Sequence, residues 1–314
     1  MKTAIESPPL GLVLDDIVRS HRPGAEAGSV PAGIPHLSSP PFNRFGIAVA
    51  TCSGDVFSAG DADLPFSIQS ISKVFTLALA LSADDPGALW SRVLREPSGT
   101  SFNSLVQLEV EHGIPRNPFI NSGALVVTDH LMERFPDAAD HVLRFLSRQA
   151  GCQNGRQGPF IDEAAADSEL ANSSRNLALA HFLKDFGNLR RPAQTVVENY
   201  VRQCSIMMSC VEMAKAALFL AQDGRGAQGT VVSRSEAKRI SSIMLTCGMY
   251  DAAGEFAYRV GLPGKSGVGG GILAIVPGEG AICVWSPRLD AKGNSLAGTA
   301  ALADLADRTG WSVF

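Results

Sequence analysis

The residues of this sequence best suited to chemistry are a serine and a lysine separated by two positions, Ser70 and Lys73. Residues three apart on a helix share a face, so these two side chains can meet, whereas Ser72 points elsewhere. The apolar run 74–83 would bury the start of the helix, and burial disfavours the charged form of a lysine. A neutral lysine beside a serine is a base beside a nucleophile.

A short motif of this kind also has a structural interpretation, since a serine ahead of an apolar helix is more often an N-cap. A second motif, Lys265-Ser266-Gly267, supports the catalytic interpretation. Together, Ser-x-x-Lys and a late Lys-Ser/Thr-Gly triplet are typical of penicillin-recognising serine enzymes. The glycines of 267–271 also fit a strand that another backbone approaches closely, which is compatible with the edge of a site.

The composition of the 314 residues is that of a globular protein with enough apolar residues for a core. The net charge is −4, and the lysines and arginines are scattered without forming a basic stripe. This distribution argues against binding to nucleic acid or to an anionic membrane surface. We therefore expect the partner to be a small molecule or another copy of the chain.

The N-terminal segment 1–9 has Glu6 and two prolines where a signal peptide would need an apolar stretch. No apolar run approaches the roughly 20 residues that span a bilayer, so we expect a cytoplasmic protein without a membrane segment. The six cysteines form no C-x-x-C pair and are interpreted as small buried side chains. The six histidines lack the spacing of metal ligands, so we predict no metal and no cofactor.

Strand patterns lie near both ends of the chain, and helical patterns lie between them. An early hairpin, 45–50 with 56–59, precedes the helix that carries Ser70. The late strand patterns are 255–260, 265–276 and 281–286. With terminal helices over 10–21 and 295–306, this order predicts one sheet made of the hairpin and three late strands, packed by the first and last helices.

The same patterns predict a single domain over 1–314 with two subdomains. The sheet subdomain would comprise about 10–77 plus 232–314, and an inserted helical subdomain would comprise about 78–231. The chain shows no internal repeat. The candidate site then falls where the sheet meets the helical insert.

Between about Pro31 and Gly298 the chain resembles the serine-dependent glutaminases. The segments that carry the resemblance are Gln69–Lys73, Asn117–Ala124, Ser174–Asn176, Asn199–Tyr200, Met208–Glu212, Cys247–Asp251, Gly261–Gly271 and Trp285–Pro287. The resemblance implies the α/β fold of β-lactamases and DD-peptidases, a mostly antiparallel sheet flanked by helices. It also implies hydrolysis of L-glutamine to L-glutamate and ammonia, and self-association as a homodimer or homotetramer.

The resemblance assigns the catalytic roles. Ser70 would be the nucleophile, Lys73 its base, and Tyr250 the tyrosine that hydrogen-bonds the serine and shuttles its proton. The backbone N–H groups of Ser70 and Val268 would form the oxyanion hole. These residue types fit the reaction, because amide hydrolysis needs a nucleophile, a base that returns the proton to leaving ammonia, and two donors to the oxyanion.

The resemblance also assigns a substrate side. Glu169, seven residues before Asn176, would accept the α-ammonium group of glutamine, while Asn121, Asn176 and Tyr200 would supply neutral polar contacts. The implied substrate set further contains Ser70, Tyr250 and Val268. Without the resemblance, the asparagines would be interpreted as caps or turn residues and Glu169 as a solvated acid at a helix start.

One departure from the family lies at Gly33, where members carry a tyrosine before Ile-Pro that reaches the substrate. Glycine supplies neither ring nor hydroxyl. This departure leaves open a binding or sensing protein with weak catalysis. A β-lactamase or cell-wall peptidase is a further alternative, since 169–172 resembles an acidic loop of such enzymes with a spacing one residue short. The lack of a signal peptide and of a clear Ser-Asp-Asn element disfavours that alternative.

Overall fold

A computed structural model describes residues 9–31, 34, 37, 43–83, 86–99, 104–152 and 158–314. Gly33 lies outside the described residues. The described strands are β1 Gly46–Thr51, β2 Val56–Gly60, β3 Phe66–Ser67, β4 Phe160–Ile161, β5 Ile206–Met208, β6 Arg225–Gly226, β7 Gly229–Thr230, β8 Gly264–Ser266, β9 Gly271–Val276 and β10 Gly280–Trp285. The described helices are α1 Leu10–His21, α2 Ser72–Ala83, α3 Pro86–Trp90, α4 Leu105–Val110, α5 Asn121–Leu131, α6 Ala138–Gln149, α7 Glu163–Ala171, α8 Ser174–Asp185, α9 Ala193–Cys204, α10 Cys210–Ala221, α11 Arg234–Cys247, α12 Ala253–Arg259 and α13 Leu296–Thr309.

The central sheet, as far as the chain is described, has five antiparallel strands in the order β2-β1-β10-β9-β8. Every residue of β9 and β10 is buried, because helices cover both faces of the sheet. One face packs against α1 and α13, whose Leu14, Ile17 and Leu302 are fully buried. The other face packs mainly against α10, and α2, α5, α6 and α9 extend the core behind it. The sheet does consist of the early hairpin and three late strands, as predicted, but one of the three predicted late stretches is not among those strands.

The prediction of a strand over 255–260 is wrong: residues 255–259 lie in the helix α12, and Val260 is its C-cap. Only one of its two aromatic side chains is buried: Phe256 is 2% exposed and Tyr258 is 89% exposed. A strand would place residues two apart on the same face, whereas a helix turns them to nearly opposite sides. The third late strand arises instead because 265–276 is divided into β8 and β9 by the glycine turn 267–270.

The helix α7 lies in the part of the chain predicted to be helical, but apolar spacing alone does not mark it as a separate helix. The Asp162 side chain accepts a hydrogen bond from the Ala165 amide, as an N-cap does. The helix lacks a regular apolar stripe, so its periodicity alone does not reveal it. The division into two subdomains stays a prediction, and its boundary at 77/78 falls inside α2.

The glycine turn 267–270 packs backbone to backbone against the segment that carries Ser70. A Cβ atom at Gly267 would lie 2.5 Å from the Ile68 carbonyl oxygen, and one at Gly269 would lie 2.2 Å from the Ser67 carbonyl oxygen. Side chains at these positions would therefore push the two segments apart. The close approach expected from the glycine-rich sequence is confirmed.

Gly269→Ala tests this contact. We expect the substitution to lower the free energy of unfolding by about 1–3 kcal/mol, because the added methyl group overlaps a backbone carbonyl that cannot rotate away. Thermal or urea unfolding measures the effect. Gly254→Ala in α12 is the matched control: nothing lies within 4 Å of its added Cβ, so its stability should stay equal or rise. Equal stability of the two variants would contradict the contact.

Candidate active site

Ser70 lies in a single 3-10 turn, Gln69–Ile71, which leads into α2. The preceding residue, Gln69, has a φ of 48°, a left-handed conformation that a non-glycine side chain adopts at a cost of about 1–3 kcal/mol. Two contacts hold this turn in place: the Ile68 amide donates to the Ile206 carbonyl at 2.9 Å, and Gln69 Nε2 donates to Ser67 Oγ at 3.1 Å. The strain therefore occurs next to the predicted nucleophile.

Lys73 lies one turn into α2 and is 2% exposed. Its amine donates to Asn121 Oδ1 at 2.7 Å and to the Phe119 carbonyl at 3.2 Å, so these bonds do not go to Ser70. Burial lowers the pKa of Lys73 from 10.5 to about 8, although the negative charge of Glu169 favours the protonated form. The desolvation expected from the sequence is thus present, and a fraction of Lys73 is neutral near pH 7.

Tyr250 is far from Ser70 in the sequence, but the fold places both residues at the same cavity. It begins the 3-10 turn Tyr250–Ala252 and, like Gln69, has a positive φ, here 50°. Its side chain lies in the same cavity wall as Ser70. Burial raises the pKa of the Tyr250 phenol, and the nearby Ser70 side chain opposes that rise. The Tyr250 phenol is therefore protonated.

The Asn121 amide connects the lysine to the substrate side. Its Oδ1 accepts hydrogen bonds from Lys73 and, at 3.2 Å, from the Tyr200 hydroxyl. Its Nδ2 donates to Asn176 Oδ1 at 3.0 Å. In this series of hydrogen bonds every donor faces an acceptor, so the partners set the orientations of both asparagine side-chain amides. The N-terminal turns of α5 and α8 supply Asn121 and Asn176.

Glu169 extends from α7 toward the same cavity. Burial raises the pKa of its carboxyl group, while a 3.1 Å hydrogen bond from Gln69 Nε2 and the charge of Lys73 lower it. The Glu169 carboxylate thus brings a negative charge into a part of the cavity wall that is largely shielded from water. Such a group can bind a cation of the substrate.

A cavity of about 490 Å³ joins the predicted residues. Its walls contain Ser70, Asn121, Glu169, Asn176, Tyr200, Tyr250 and Val268. Lys73 lies beneath the wall rather than in it, in contact with Asn121. The cavity is ample for a single amino acid, and every residue predicted for the site is in it or directly behind it.

The cavity also contains residues that the sequence reasoning gave no role, among them Gln69, Arg175 and Lys292. Gln69 stood in the quoted motif and Arg175 in the Ser-Arg-Asn segment, so both had a signal. Lys292 lies on a loop beside Leu289, which pairs with Ser29 from the other end of the chain. No local pattern marks that loop, because its place at the cavity depends on a contact between distant segments.

The remaining expectations concern cysteines, metals and membranes. All six cysteines are free thiols, of which Cys204, Cys210 and Cys283 are buried and the other three half-buried, so the expectation of burial is wrong for half of them. The described residues contain no group of three or more His, Cys, Asp or Glu side chains arranged to hold a metal ion. Within the same residues, no helix combines the length and the apolar character required to cross a bilayer.

The chain is similar to known proteins over nearly its full length. The sequence profile of the family Glutaminase matches residues 28–314. A glutaminase of Paraburkholderia phytofirmans is 54% identical, with 96% of this chain and 98% of that protein covered. A glutaminase of Streptomyces coelicolor is also 54% identical, with 98% of this chain and 97% of that protein covered.

Solved structures give the same result. The structure of a probable glutaminase of Bacillus subtilis has a TM-score of 0.87 at 32% identity, covering 97% of this chain and 98% of that one. A structure of Mglu in its glutamate form has a TM-score of 0.89 at 35% identity, covering 100% of this chain and 70% of that one. The β-lactamase-like fold expected from the sequence is confirmed. The chain belongs to the glutaminase family, whose members hydrolyse L-glutamine to L-glutamate and ammonia.

Proposed function

We propose that this glutaminase cleaves L-glutamine through a covalent intermediate on Ser70. Ser70 Oγ attacks the side-chain amide carbon while its proton passes to neutral Lys73, directly or through Tyr250. The carbonyl oxygen becomes an oxyanion that accepts hydrogen bonds from the backbone N–H groups of Ser70 and Val268. The carbon–nitrogen bond then breaks, and the same proton leaves with ammonia.

Water completes the reaction by attacking the γ-glutamyl ester. Lys73 accepts a proton from the water, and Ser70 regains a proton as the ester bond breaks and glutamate is released. The observation that carries this proposal is that Ser70 and Tyr250 line the same cavity, while the buried amine of Lys73 lies directly behind its wall. A nucleophile and two proton-carrying groups are thereby in reach of one substrate.

The substrate side binds the amino-acid end of glutamine. Glu169 accepts the α-ammonium group. Its carboxyl group is buried, accepts a hydrogen bond from Gln69, and has no ion-pair partner among the described residues. Asn176 and Tyr200, which are already linked through Asn121, offer polar groups to the α-carboxylate. The likeness to Mglu in its glutamate form supports glutamate, the product, as a ligand of this cavity.

Two further properties belong to the same proposal. Six free thiols fit a reducing compartment, which supports the cytoplasm as the location of the protein. A homodimer or homotetramer is the assembly that the family resemblance suggests, and it stays a prediction. Size-exclusion chromatography with light scattering would measure the assembly.

Ser70→Ala should abolish ammonia release from L-glutamine. We expect kcat to fall by at least about 10⁴-fold, because loss of a nucleophile removes the covalent route. A coupled ammonia assay with L-glutamine, L-asparagine and γ-glutamyl compounds measures it. Ser82→Ala, at the exposed far end of the same helix, is the control and should keep the wild-type rate. Ligand binding without Ser70-dependent ammonia would instead support a binding protein and contradict the proposed reaction.

The pKa of Lys73 sets the expected pH dependence. Lys73 acts as a base only when neutral, so log kcat/KM should rise with a slope of about one below pH 8 and level off above it. Stopped or continuous assays across the pH range test this. A rate that is constant between pH 6 and 8 would contradict the role of Lys73.

Lys73→Met separates catalysis from folding. At pH 7 the lysine is mostly charged in both the folded and the unfolded chain, and the gap between the pKa values of 10.5 and about 8 corresponds to about 3 kcal/mol of instability in the folded state. The variant should therefore be inactive yet at least as stable as the wild type at pH 7. The wild type should gain stability relative to this variant as pH rises from about 8 to 10.5, because only its unfolded state then still binds the proton.

Glu169→Gln should raise KM by a larger factor than it lowers kcat. We expect KM for L-glutamine to rise by about 10-fold or more, because a neutral amide replaces the charge that faces the α-ammonium group. The des-amino analogue glutaramate provides the comparison, since it lacks that group. The variant should discriminate less between glutamine and glutaramate than the wild type. Unchanged discrimination would assign the α-ammonium group to another residue.

A further inference from the structure

Three buried polar side chains in the helical core have no role in the mechanism above, and we call them the core polar layer. Thr76 lies in α2, Thr128 in α5 and Gln203 in α9, and each is at most 2% exposed. None of them lines the substrate cavity, and the same helices supply many residues of the large apolar core. Burying polar groups in such a core is costly unless they bond to one another, and apolar side chains of similar shape would fill the space at a lower cost in free energy.

Hydrogen bonds between helices connect the core polar layer. The Thr76 hydroxyl donates to Gln203 Oε1 at 2.7 Å, and Gln203 Nε2 donates to Thr128 Oγ1 at 3.5 Å, the long limit of such a bond. The Thr76 hydroxyl also lies 3.1 Å from the Ser72 carbonyl oxygen of its own helix. A hydroxyl carries one proton, and the shorter contact is the one with Gln203. Gln203 therefore joins α9 to α2 and, more weakly, to α5.

The same three helices are also joined at the substrate cavity. The Lys73 amine and the Tyr200 hydroxyl both donate to Asn121 Oδ1, at 2.7 and 3.2 Å. We call these three residues the site layer. It contains the proposed base and two residues of the proposed substrate side, so its geometry bears directly on the reaction.

The two layers lie on matching faces of the helices. Each residue of the core polar layer follows a residue of the site layer by three or seven positions. The pairs are Lys73 and Thr76 in α2, Tyr200 and Gln203 in α9, and Asn121 and Thr128 in α5. Side chains with these spacings share a helix face. The core polar layer therefore lies about one to two turns deeper than the site layer, between the same helices.

A polar layer does what apolar packing does less well. Apolar side chains tolerate small shifts of helices along their axes, whereas a buried hydrogen bond is directional and specifies the register of the helices it joins. The register matters at the cavity because a displacement of about 1 Å at a reacting group can cost on the order of 10²-fold in rate. A shift of α2 against α5 or α9 would move the Lys73 amine relative to its acceptor on Asn121.

We propose that Gln203, acting with Thr76 and Thr128, is a positioning residue that holds α2, α5 and α9 in the register required by the site layer. The inference rests on the proposed role of Lys73 as the base. The core polar layer acts through the three helices and lines no part of the substrate cavity. Its loss should therefore slow the reaction of an enzyme that is still fully folded.

The variant Thr76→Val/Thr128→Val/Gln203→Leu tests the proposal, because it removes every polar group of the core polar layer together. No donor or acceptor of the layer is then left unpaired, so we expect a Tm equal to or above that of the wild type. The kcat/KM for L-glutamine, measured well below both Tm values, should nevertheless fall by about 10-fold or more. A purely structural role would leave this rate unchanged, and a wild-type kcat/KM would overturn the inference.

Two single variants at Thr76 separate hydrogen bonding from packing. Valine keeps the shape of threonine without its hydroxyl, whereas serine keeps the hydroxyl without the methyl group. Thr76→Ser should keep kcat/KM within about threefold, and Thr76→Val should lower it by about 10-fold or more. Thr299→Val in α13 is the control, because the Thr299 hydroxyl also bonds to the carbonyl four residues earlier, and its rate should not change. A larger loss with serine than with valine would assign Thr76 to packing and contradict the inference.

If the triple variant does not fold, the two Thr76 variants decide. Failure of Thr76→Val to fold as well would assign the core polar layer a purely structural role and overturn the inference. The proposed function fails separately. Lys73→Met with the wild-type rate would contradict the base itself, whereas an inactive Lys73→Met beside a triple variant with the wild-type kcat/KM contradicts only the inference.

Discussion

The burial of one amine, that of Lys73, is the constraint on which the site depends. Removing an ammonium group from water lowers its pKa toward the range in which a base can act, and at neutral pH the same desolvation destabilises the fold. The apolar helix α2 provides the burial, and Asn121 provides the hydrogen bond that an interior amine requires. The proposed basicity of Lys73 and its cost to stability therefore have the same physical origin.

Close backbone contacts position the groups around this amine. The glycine turn 267–270 lies against the segment that carries Ser70, and Gly248 lies against Gly264. At both places two backbones approach each other without a side chain between them. These contacts bring Val268, the proposed second donor of the oxyanion hole, and the turn of Tyr250 close to Ser70. They also support the left-handed conformations of Gln69 and Tyr250, which the two residues would not adopt in isolation.

Much of the fold was predictable from local patterns. The first helix, the early hairpin and β10 follow from apolar spacing and turn residues, because these signals act over a few residues. The stretch 255–260 was mispredicted because the same aromatic spacing fits a strand or a short helix, and only packing shows that Phe256 is buried while Tyr258 is not. Helix α7 was not marked as a separate helix because it has a cap but no apolar stripe.

The sequence by itself determined which groups are present: the Ser-x-x-Lys pair, the glycine-rich turn and the ordered motifs that indicate the glutaminase family. Those features depend on residue type and on spacing along the chain. Only the tertiary structure decided that the Lys73 amine bonds to Asn121, that Tyr250 lines the same cavity as Ser70, and that Gln203 bonds to Thr76. These relations join residues far apart in the chain, and their geometry follows from how the sheet and helices pack.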